Sequence, residues 1–458
     1  DGGGVVQFLA KTYRINSPIN LRANVSLIGA GIGSTIIDLS AISGSKLIFN
    51  GIARTIGGSI TTTEGSTAVT GSGTTFTNAS SGDYLLVTAN DYNFYSKISS
   101  ITNATNLVLE KAWPMPSGAG VTGFSIMDAL VNCKLKDLTI DNGNNSGLGS
   151  VIVNRVITFV AENVLISNDS TGAGIQIGTA IDCEFRNVTS SYNGAKGFDI
   201  DVIFKSVFIN CKAFGNAGDG FDVISGTGEE NNFYSCASDG NTGVGFDINS
   251  GAFLNGCRAT GNDLSGYVVS GDETILEACY AISNGADGIR LSGDGDGVTI
   301  SNCKMLNNGG WGININASTV NNAVIIHPML LQNTSGAITD SGVGTRFVGY
   351  GFRSSALSNG ANNNIATTIS SYYFIDFLEI TGPTAAFSIS GFDNGVSGRR
   401  LTVYNTVAFD MTITNDATST LANRILTLTG ADVVLTGVST ATFIYNLTDA
   451  RWILVGTS

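Results

Sequence analysis

The feature that most constrains this chain is a short motif repeated seven times between Val188 and Gly336. Each copy has a residue of a usually buried type, an amide side chain five positions later and a glycine nine positions later. Successive copies lie 21 to 25 residues apart, because Cys211 to Cys236 is 25 and Cys236 to Cys257 is 21. A regular period in this range is typical of a solenoid whose coils stack on one another. The copies are Val188/Asn193/Gly197, Cys211/Asn216/Gly220, Cys236/Asn241/Gly245, Cys257/Asn262/Gly266, Cys279/Asn284/Gly288, Cys303/Asn308/Gly312 and His327/Gln332/Gly336.

The composition favours an all-β protein and excludes several classes of function. Hydrophobic residues make up 43% of the chain, which excludes disorder, and 59 glycines against 5 prolines suit short strands with tight turns. The net charge of −13 argues against nucleic acid as a partner. No window of about 18 unbroken apolar residues is present, so we expect no membrane span. A polysaccharide partner fits this composition best.

A strand of pattern in-out-in follows each glycine of the motif. Side chains alternate between the two faces of a strand, so the middle residue of each strand should face solvent. In three successive copies this residue is an aspartate, and we call Asp199, Asp222 and Asp247 the acid column. The later outward residues are Val268, Arg290 and Asn314. The predicted inward residues are Phe198, Phe221, Phe246, Tyr267, Ile289 and Ile313, then Ile200, Val223, Ile248, Val269, Leu291 and Ile315.

Stacked aspartates are costly, which makes the acid column a candidate functional site. Adjacent strands of a sheet lie about 5 Å apart, so at least one carboxyl pKa should be raised. Such a row gives no structural benefit, and perturbed carboxyl groups are common in active sites. The alternatives are a solvated acidic stripe or a site for Ca²⁺. We assign no metal ligand and no required cofactor.

Acidic loops leave the same strands and extend the candidate catalytic set. Glycoside hydrolysis needs one protonated and one ionised carboxyl group, about 5 Å apart for retention of configuration and roughly 6.5–9.5 Å apart for inversion. With Asp199 as a further candidate, we expect an inverting pair. Its members should come from Asp222, Asp247, Glu229, Glu230, Asp272 and Glu273, and which of them is the acid stays open.

Further residues are candidates for substrate binding. Arg290 and Lys196 supply the cations that a lyase would need to neutralise a uronate. Trp311 and Tyr192 fall in turns, where aromatic rings either stack on sugars or shield the edges of the coils. The sole histidine, His327, belongs to the inward positions and is predicted to be structural. The substrate-binding set is Arg290, Trp311, Tyr192, Asn314, Lys196 and Asp294.

The cysteines and the amides of the motif are predicted to be structural. Five of the seven cysteines share the first position of the motif. Their parallel Cβ vectors would hold the sulfurs too far apart for a good disulfide, so we expect small buried residues with reduced thiols. Each amide can bond the amide of the next coil and satisfy turn backbone that would otherwise be buried without a partner.

The 24-residue periodicity is not uniform along the chain, and it predicts four segments. Residues 1–56 form the first coils, 57–127 an inserted small β module, and 128–345 the main solenoid. Residues 346–458 form a C-terminal β-sandwich that serves trimerisation or carbohydrate binding. No targeting segment precedes the first strand, and a solenoid needs a cap at each end. We therefore expect the natural chain to begin upstream of Asp1.

Three stretches of the sequence resemble known proteins. The opening GGGVVQFLAKTYRINSPINLRANVSLIGAGIGSTII and the later NAGDGFDV and NGADGIRL resemble right-handed parallel β-helix proteins of the pectate-lyase-like superfamily. Residues 57–127 are similar to small β inserts of phage tail proteins. The ending NRILTLTGADVVLTGVSTATFIYNLTDARWILVG resembles the terminal domains of phage tailspikes and related depolymerases. The resemblance implies a carbohydrate-active protein that is usually a homotrimer.

The sequence lacks the catalytic motifs of several members of that superfamily. It has no Gly-His-Gly or paired aspartates of the polygalacturonases, no Trp-Ile-Asp-His of the pectate lyases and no Asp-Pro-His-Asp of the mannuronan epimerases. Catalytic residues of these enzymes therefore cannot be transferred to this chain.

Three functions fit the sequence. The first is an endo-acting glycoside hydrolase that degrades a bacterial surface or capsular polysaccharide. The second is a polysaccharide lyase that acts on a uronate-containing glycan. The third is a non-catalytic spike that only binds a glycan receptor. Each implies an extracellular location or a place on a virion tail.

Overall fold

The computed structural model of the chain describes residues 3–44, 46–89, 92–145, 149–224, 231–293, 295–348, 352–369 and 373–458. Among these residues every regular element is a β-strand, apart from the short 3₁₀ helices Phe76–Asn78 and Leu421–Asn423. The chain divides into two compact units, Asp1–Val268 and Val269–Ser458.

The first unit is a parallel β-solenoid with two sheets. Each coil adds one strand to the second sheet and one long strand or two short strands to the first sheet, and neighbouring coils pair in parallel. The first sheet contains Gly4–Gln7, Thr12–Arg14, Val25–Ile28, Ile36–Asp38, Lys134–Asn145, Val160–Asp169, Glu184–Ser191, Val207–Ile209, Lys212–Phe214, Asn232–Tyr234, Ala237–Asp239, Phe253–Asn255 and Arg258–Thr260. The second contains Ile19–Asn20, Leu47–Asn50, Leu130–Val131, Gly149–Asn154, Val156–Ile157, Ala173–Ile181, Phe198–Phe204, Phe221–Val223 and Phe246–Ile248. The strand Tyr267–Val269 follows at the boundary of the two units.

The core of the first unit is built from identical positions of successive coils. The rings of Phe198 and Phe221 stack with centroids 4.5 Å apart, and those of Phe221 and Phe246 with centroids 4.7 Å apart. All three side chains are fully buried, as are Ile200, Val223 and Ile248 on the same strands. The inward positions predicted for these strands are therefore confirmed, whereas the middle residue Asp222 is itself buried.

An amide ladder joins the coils along one edge of the core. Asn193, Asn216 and Asn241 each donate a backbone N–H and a side-chain N–H to the amide oxygen of the next coil's asparagine, the last of these being Asn262. In the second unit the same bonds run from Asn284 to Asn308 and from Asn308 to Asn333. The distances are 3.0–3.1 Å from the backbone and 2.8–2.9 Å from the side chain. The structural role predicted for the asparagines is confirmed.

The glycines of the motif are required by the close approach of the next coil. A Cβ atom added to Gly220 would lie 2.7 Å from the carbonyl oxygen of Gly245, and one added to Gly245 would lie 2.5 Å from that of Gly266. These separations are shorter than real Cβ contacts, so any larger residue would force the coils apart.

The seventh copy of the motif was predicted one residue too early. Lys304 pairs with Met329, so the position equivalent to Cys303 is Pro328 rather than His327. The ladder amide is accordingly Asn333 and not Gln332. His327 is only half-buried, and its Nδ1 lies 3.4 Å from Asn302 Oδ1. The prediction failed because Gln332 and Gly336 keep the motif spacing from His327, whereas the residue opposite Gly312 is Ala337, so this coil is one residue longer than the spacing indicates.

All seven cysteines are buried, and none forms a disulfide. Burial raises the pKa of the Cys183 thiol to about 12, and it raises the pKa values of Cys236 and Cys303 as well. The thiols are therefore protonated and unreactive packing groups, as expected from their position.

An antiparallel module interrupts the coils of the first unit. Its core includes Ile60, Phe76, Leu85 and Trp113, so Trp113 is buried and does not face solvent. The module contains the strands Ile52–Arg54, Ser59–Thr62, Ala68–Ser72, Tyr84–Ala89, Tyr92–Asn103, Asn106–Leu109, Gly118–Val121 and Phe124–Asp128.

The second unit continues with parallel coils around its own core. One sheet contains Ile275–Glu277, Tyr280–Ile282, Thr299–Ser301, Lys304–Leu306, Val324–Ile326, Met329–Leu331 and Arg346–Val348. The other contains Ile289–Leu291, Trp311–Ile315 and Gly336–Asp340.

The C-terminal part of the second unit has two sheets over one shared core. Both sheets are mixed. In the six-stranded sheet Phe352–Ala356, Phe377–Thr381 and Arg400–Asn405 pair in parallel, and Ser439–Asn446 pairs antiparallel with Arg400–Asn405. In the four-stranded sheet Val433–Leu435 pairs antiparallel with Met411–Ile413. The sequence shows no motif here, so coils of this kind were not recognised. The six-stranded sheet also contains Arg451–Thr457 and Ile425–Leu426. The four-stranded sheet contains Gly360–Asn362, Phe387–Ile389, Met411–Ile413 and Val433–Leu435. A separate two-stranded sheet contains Thr368–Ile369 and Tyr373–Phe374.

The amide ladder gives a stability prediction. Replacing Asn241 by leucine keeps the volume but removes the acceptor of two N–H groups of Asn216. Each buried donor left without a partner costs about 1–3 kcal/mol, so the free energy of unfolding should fall by about 2–5 kcal/mol in guanidinium titrations. The neighbouring Thr242→Ala, at an exposed position, should change it by less than about 0.5 kcal/mol. If Asn241→Leu lowered the free energy of unfolding no more than Thr242→Ala does, the amide ladder would contribute little to stability.

Candidate active site

The acid column lies on the outward face of the second sheet of the first unit. Asp199 pairs in register with Asp222, and Asp222 pairs with Asp247, on three consecutive parallel strands. The residues on either side of each aspartate are fully buried in the core. The geometry therefore places the three carboxylates on successive rungs of one face, about 4.8 Å apart from rung to rung.

Lys196 connects two members of the acid column. Its ammonium nitrogen is 2.9 Å from Asp199 Oδ1 and also forms a salt bridge with Asp222 Oδ2. Burial lowers the pKa of Lys196, but the hydrogen bonds to Asp222 and Asp199 outweigh this effect, so its net pKa is raised. A residue predicted to bind substrate is thus part of the charge network of the column.

Asp222 is the most enclosed member of the column. Only 6% of its surface is exposed, although it points away from the core. Burial raises the pKa of its carboxyl group, and the charges of Asp219 and Asp199 act in the same direction. The salt bridge to Lys196 opposes this rise, but the net pKa of Asp222 stays above its ordinary value.

Asp247 differs from Asp222 because Lys196 forms no salt bridge with it among the described residues. Burial raises the pKa of Asp247 to about 6, and the charges of Asp222 and Asp219 contribute to the rise. Its Oδ1 is buried with no hydrogen-bond partner within the part of the chain that the structure describes. An oxygen in this environment favours the protonated carboxyl group.

Asp219 belongs to the site, although it was not among the predicted residues. It precedes the motif glycine Gly220, and its Oδ1 accepts a 2.6 Å hydrogen bond from the backbone N–H of Val244. Lys196 occupies the same position of the preceding coil, before Gly197. The position before the motif glycine therefore supplies charges to the acid column in these two coils, Lys196 and Asp219.

None of the predicted loop acids belongs to the described part of the first unit. Glu229, Glu230 and Asp294 lie outside the described residues. Asp272 and Glu273 occupy an exposed turn of the second unit, where Asp272 Oδ1 accepts a hydrogen bond from the backbone N–H of Asp296.

Tyr192 lies at the end of the strand Glu184–Ser191, which belongs to the first sheet. Its ring is 57% exposed and meets the ring of Phe214 edge-on, with centroids 5.1 Å apart. The acid column belongs to the second sheet, so Tyr192 and the column lie on different sheets of the first unit.

The other predicted binding residues form a cluster in the second unit. Arg290 pairs with Asn314 on the next coil, and Trp311 begins the strand that carries Asn314. Asp287 bonds the backbone N–H of Trp311 and the side-chain amide of Asn314, at 2.7 and 2.8 Å. We call Asp287, Arg290, Trp311, Asn314 and Asn316 the arginine cluster.

Two kinds of feature are absent from the described residues. No group of three or more histidine, cysteine, aspartate or glutamate side chains there is arranged to hold a metal ion. No helix of that part of the chain has the length and apolar character that a membrane crossing requires.

Comparisons with known proteins concern the fold. Residues 226–352 match the family model described as the right-handed β-helix region. No curated protein matches the sequence. The stacked parallel coils have the fold that this family model describes, a right-handed parallel β-helix.

Solved structures with a similar fold include phage and bacterial proteins. The tailspike protein gp49 from Pseudomonas phage LKA1 is 12% identical, with a TM-score of 0.48, over 99% of this chain and 89% of that chain. The Azotobacter vinelandii mannuronan C-5 epimerase AlgE4 A-module is 17% identical, with a TM-score of 0.41, over 85% of this chain and 81% of that chain. The Gp54 tailspike of Acinetobacter baumannii bacteriophage AP22 is 11% identical, with a TM-score of 0.39, over 99% of this chain and 89% of that chain. At these identities no residue role passes to this chain.

The raised pKa of Asp247 gives a pH-dependent stability prediction. The folded protein keeps this proton up to about pH 6, whereas an unfolded chain loses it near pH 3.9. Between these values the folded state binds more protons, so stability falls as the pH rises. Asp247→Asn removes this loss. Its free energy of unfolding should therefore rise by about 1–2 kcal/mol relative to that of the native protein between pH 4 and pH 7, a range discounted for the partial exposure of Asp247.

Thermal unfolding of both proteins across pH 4–8 measures this effect. Asp263→Asn, at an exposed turn position, is the control and should follow the native protein at every pH. A constant difference between Asp247→Asn and the native protein over the whole range would show that Asp247 titrates normally.

Proposed function

We propose that this chain is an endo-acting glycoside hydrolase that degrades a bacterial surface or capsular polysaccharide, with the acid column as its active site. The observation that carries the proposal is the pairing of two different carboxyl groups on adjacent rungs of one face. Asp247 retains a proton to about pH 6, whereas Asp222 is salt-bridged to Lys196. One protonated and one ionised carboxyl group are the two components that glycoside hydrolysis requires.

Asp247 is the general acid in this proposal. Its raised pKa lets it hold a proton near neutral pH and donate it to the leaving glycosidic oxygen. Asp222 is the ionised partner, which Lys196 keeps deprotonated in the resting site. Adjacent rungs give a separation of about 5 Å, which favours a retaining mechanism with Asp222 as nucleophile over the inverting pair expected from the sequence. Asp199 and Asp247 are two rungs apart, about 9.6 Å, at the long limit for an inverting pair.

A lyase is the second candidate, and the position of Lys196 favours it. An ammonium group beside two carboxylates could neutralise the carboxylate of a uronate, while an ionised aspartate removes the neighbouring C5 proton. The two mechanisms give different products. A hydrolase produces new reducing ends alone, whereas a lyase also produces unsaturated ends that absorb near 232 nm.

The test is to incubate the protein with a panel of bacterial capsular and surface polysaccharides and to measure both signals. Asp247→Asn and Asp222→Asn should each lower the production of reducing ends by roughly 10²–10⁴-fold, while the control Asp263→Asn keeps full activity. The first product should have the anomeric configuration of the substrate by NMR. Full activity of both column variants would remove the acid column from the active site. Glycan binding without any cleavage would favour the non-catalytic spike.

We also propose that the protein is a homotrimer and acts outside the cell or on a virion tail. This proposal rests on the resemblance of residues 57–127 and of the C-terminal sequence to phage tail proteins. Sedimentation equilibrium should give three times the chain mass of 47.3 kDa. A monomer mass at micromolar concentration would contradict the trimer.

A further inference from the structure

The arginine cluster occupies two consecutive coils of the second unit. Arg290 is the middle residue of the strand Ile289–Leu291, and Asn314 is its partner on the strand Trp311–Ile315. The flanking residues Ile289, Leu291, Ile313 and Ile315 are fully buried. Arg290 and Asn314 therefore point away from the core on adjacent rungs.

Arg290 is exposed, but its guanidinium group is held in place. With the Asn316 amide oriented to donate to the carbonyl of Leu291 at 2.8 Å, its oxygen accepts bonds from Arg290 Nε at 2.9 Å and from a terminal nitrogen at 2.5 Å. Within the described residues Arg290 forms no ion pair with a carboxylate. The outer N–H donors of a fixed, planar cation thus face solvent.

Asp287 organises the rest of the cluster. It is only 8% exposed, and its two oxygens accept bonds from the Trp311 backbone N–H and the Asn314 side-chain N–H. Since its side-chain N–H is engaged, Asn314 presents its amide oxygen as an acceptor.

The indole ring of Trp311 packs over Gly336 of the next coil, where a side chain would block it. Its strand pairs with the next coil through Gly336. A Cβ atom added to Gly336 would lie 2.6 Å from the Trp311 ring, so the absence of a side chain there lets the indole lie against the coil. The indole remains half-exposed in this position.

We propose that the arginine cluster is a binding subsite for a sugar that carries a carboxylate, such as a uronic acid residue of the polysaccharide. Arg290 binds the carboxylate through its outer N–H groups, Trp311 stacks on the apolar face of the ring, and Asn314 accepts a bond from a hydroxyl group. This inference rests on the proposed function, since it names the substrate class of a glycan-acting protein.

Trp311 also provides the assay. The chain has three tryptophans, and the other two, Trp113 and Trp452, are 5% and 0% exposed. Binding at the cluster should therefore change the tryptophan fluorescence through Trp311. The probes are oligosaccharides of galacturonate, guluronate and hyaluronan, each titrated beside its carboxyl-reduced neutral form into the Asp247→Asn protein, which does not cleave them in our account.

At least one acidic oligosaccharide should bind 10-fold or more tightly than its neutral form. In the same background Arg290→Met should abolish this preference, and Arg290→Lys should retain part of it, because lysine keeps the charge but loses the planar donor pair. Arg346→Met changes an exposed arginine elsewhere in the second unit and should leave both affinities unchanged. Unchanged melting temperatures would show that the variants are folded.

Equal affinity for every acidic and neutral pair, or an acid preference that survives Arg290→Met, would overturn the inference. This failure is distinct from failure of the proposed function. Asp247-dependent cleavage of a neutral glycan would retain the hydrolase and overturn the acidic subsite. Arg290-dependent binding of a uronate without cleavage would support the subsite and remove the hydrolase.

Discussion

In-register stacking of the coils is the constraint on which the rest of the structure depends. In each unit the amide ladder fixes that register, because one asparagine oxygen accepts two N–H groups from the neighbouring coil. A slip of one residue would leave these buried donors without an acceptor and would turn every inward side chain outward. The ladder also needs an end. In the first unit the backbone N–H of Asp169 donates to Asn193, and the Asp169 carboxylate bonds Asn142 and lies 3.8 Å from the buried ammonium of Lys46.

In-register stacking also produces the acid column, and the repulsion between its carboxylates destabilises that stacking. Stacked phenylalanine rings gain from being 4.5–4.7 Å apart, whereas stacked carboxylates at the same spacing repel one another. Lys196 offsets this repulsion at Asp199 and Asp222, and Asp247 responds by keeping its proton. Two chemically different carboxyl groups therefore arise from one repeated position, because the compensating cation reaches only part of the row.

Much of this arrangement could be predicted from the sequence, because a parallel solenoid converts sequence spacing into distance. The inward phenylalanines, the outward aspartates, the buried cysteines and the asparagine ladder all follow from one motif and the alternation of side chains. Asp219 was missed because the prediction considered strand positions and not the turn residue that precedes each glycine. The shift from Gln332 to Asn333 could not be predicted, since Gln332 and Gly336 keep the motif spacing and only the pairing of Lys304 with Met329 reveals the extra residue. The parallel strands after Phe352 carry no ladder, so their sequence has no repeat that would reveal them.

Burial raises the pKa of Asp247, and the in-register neighbour Asp222 raises it further. The most direct measurement is a pH titration of the Asp247 carboxyl carbon by NMR, in protein labelled with ¹³C at the aspartate side chains and assigned by substitution. The account predicts a midpoint near 6 that falls when Asp222 is replaced by asparagine. A midpoint near the ordinary value of about 3.9, or one that Asp222→Asn leaves unchanged, would contradict it.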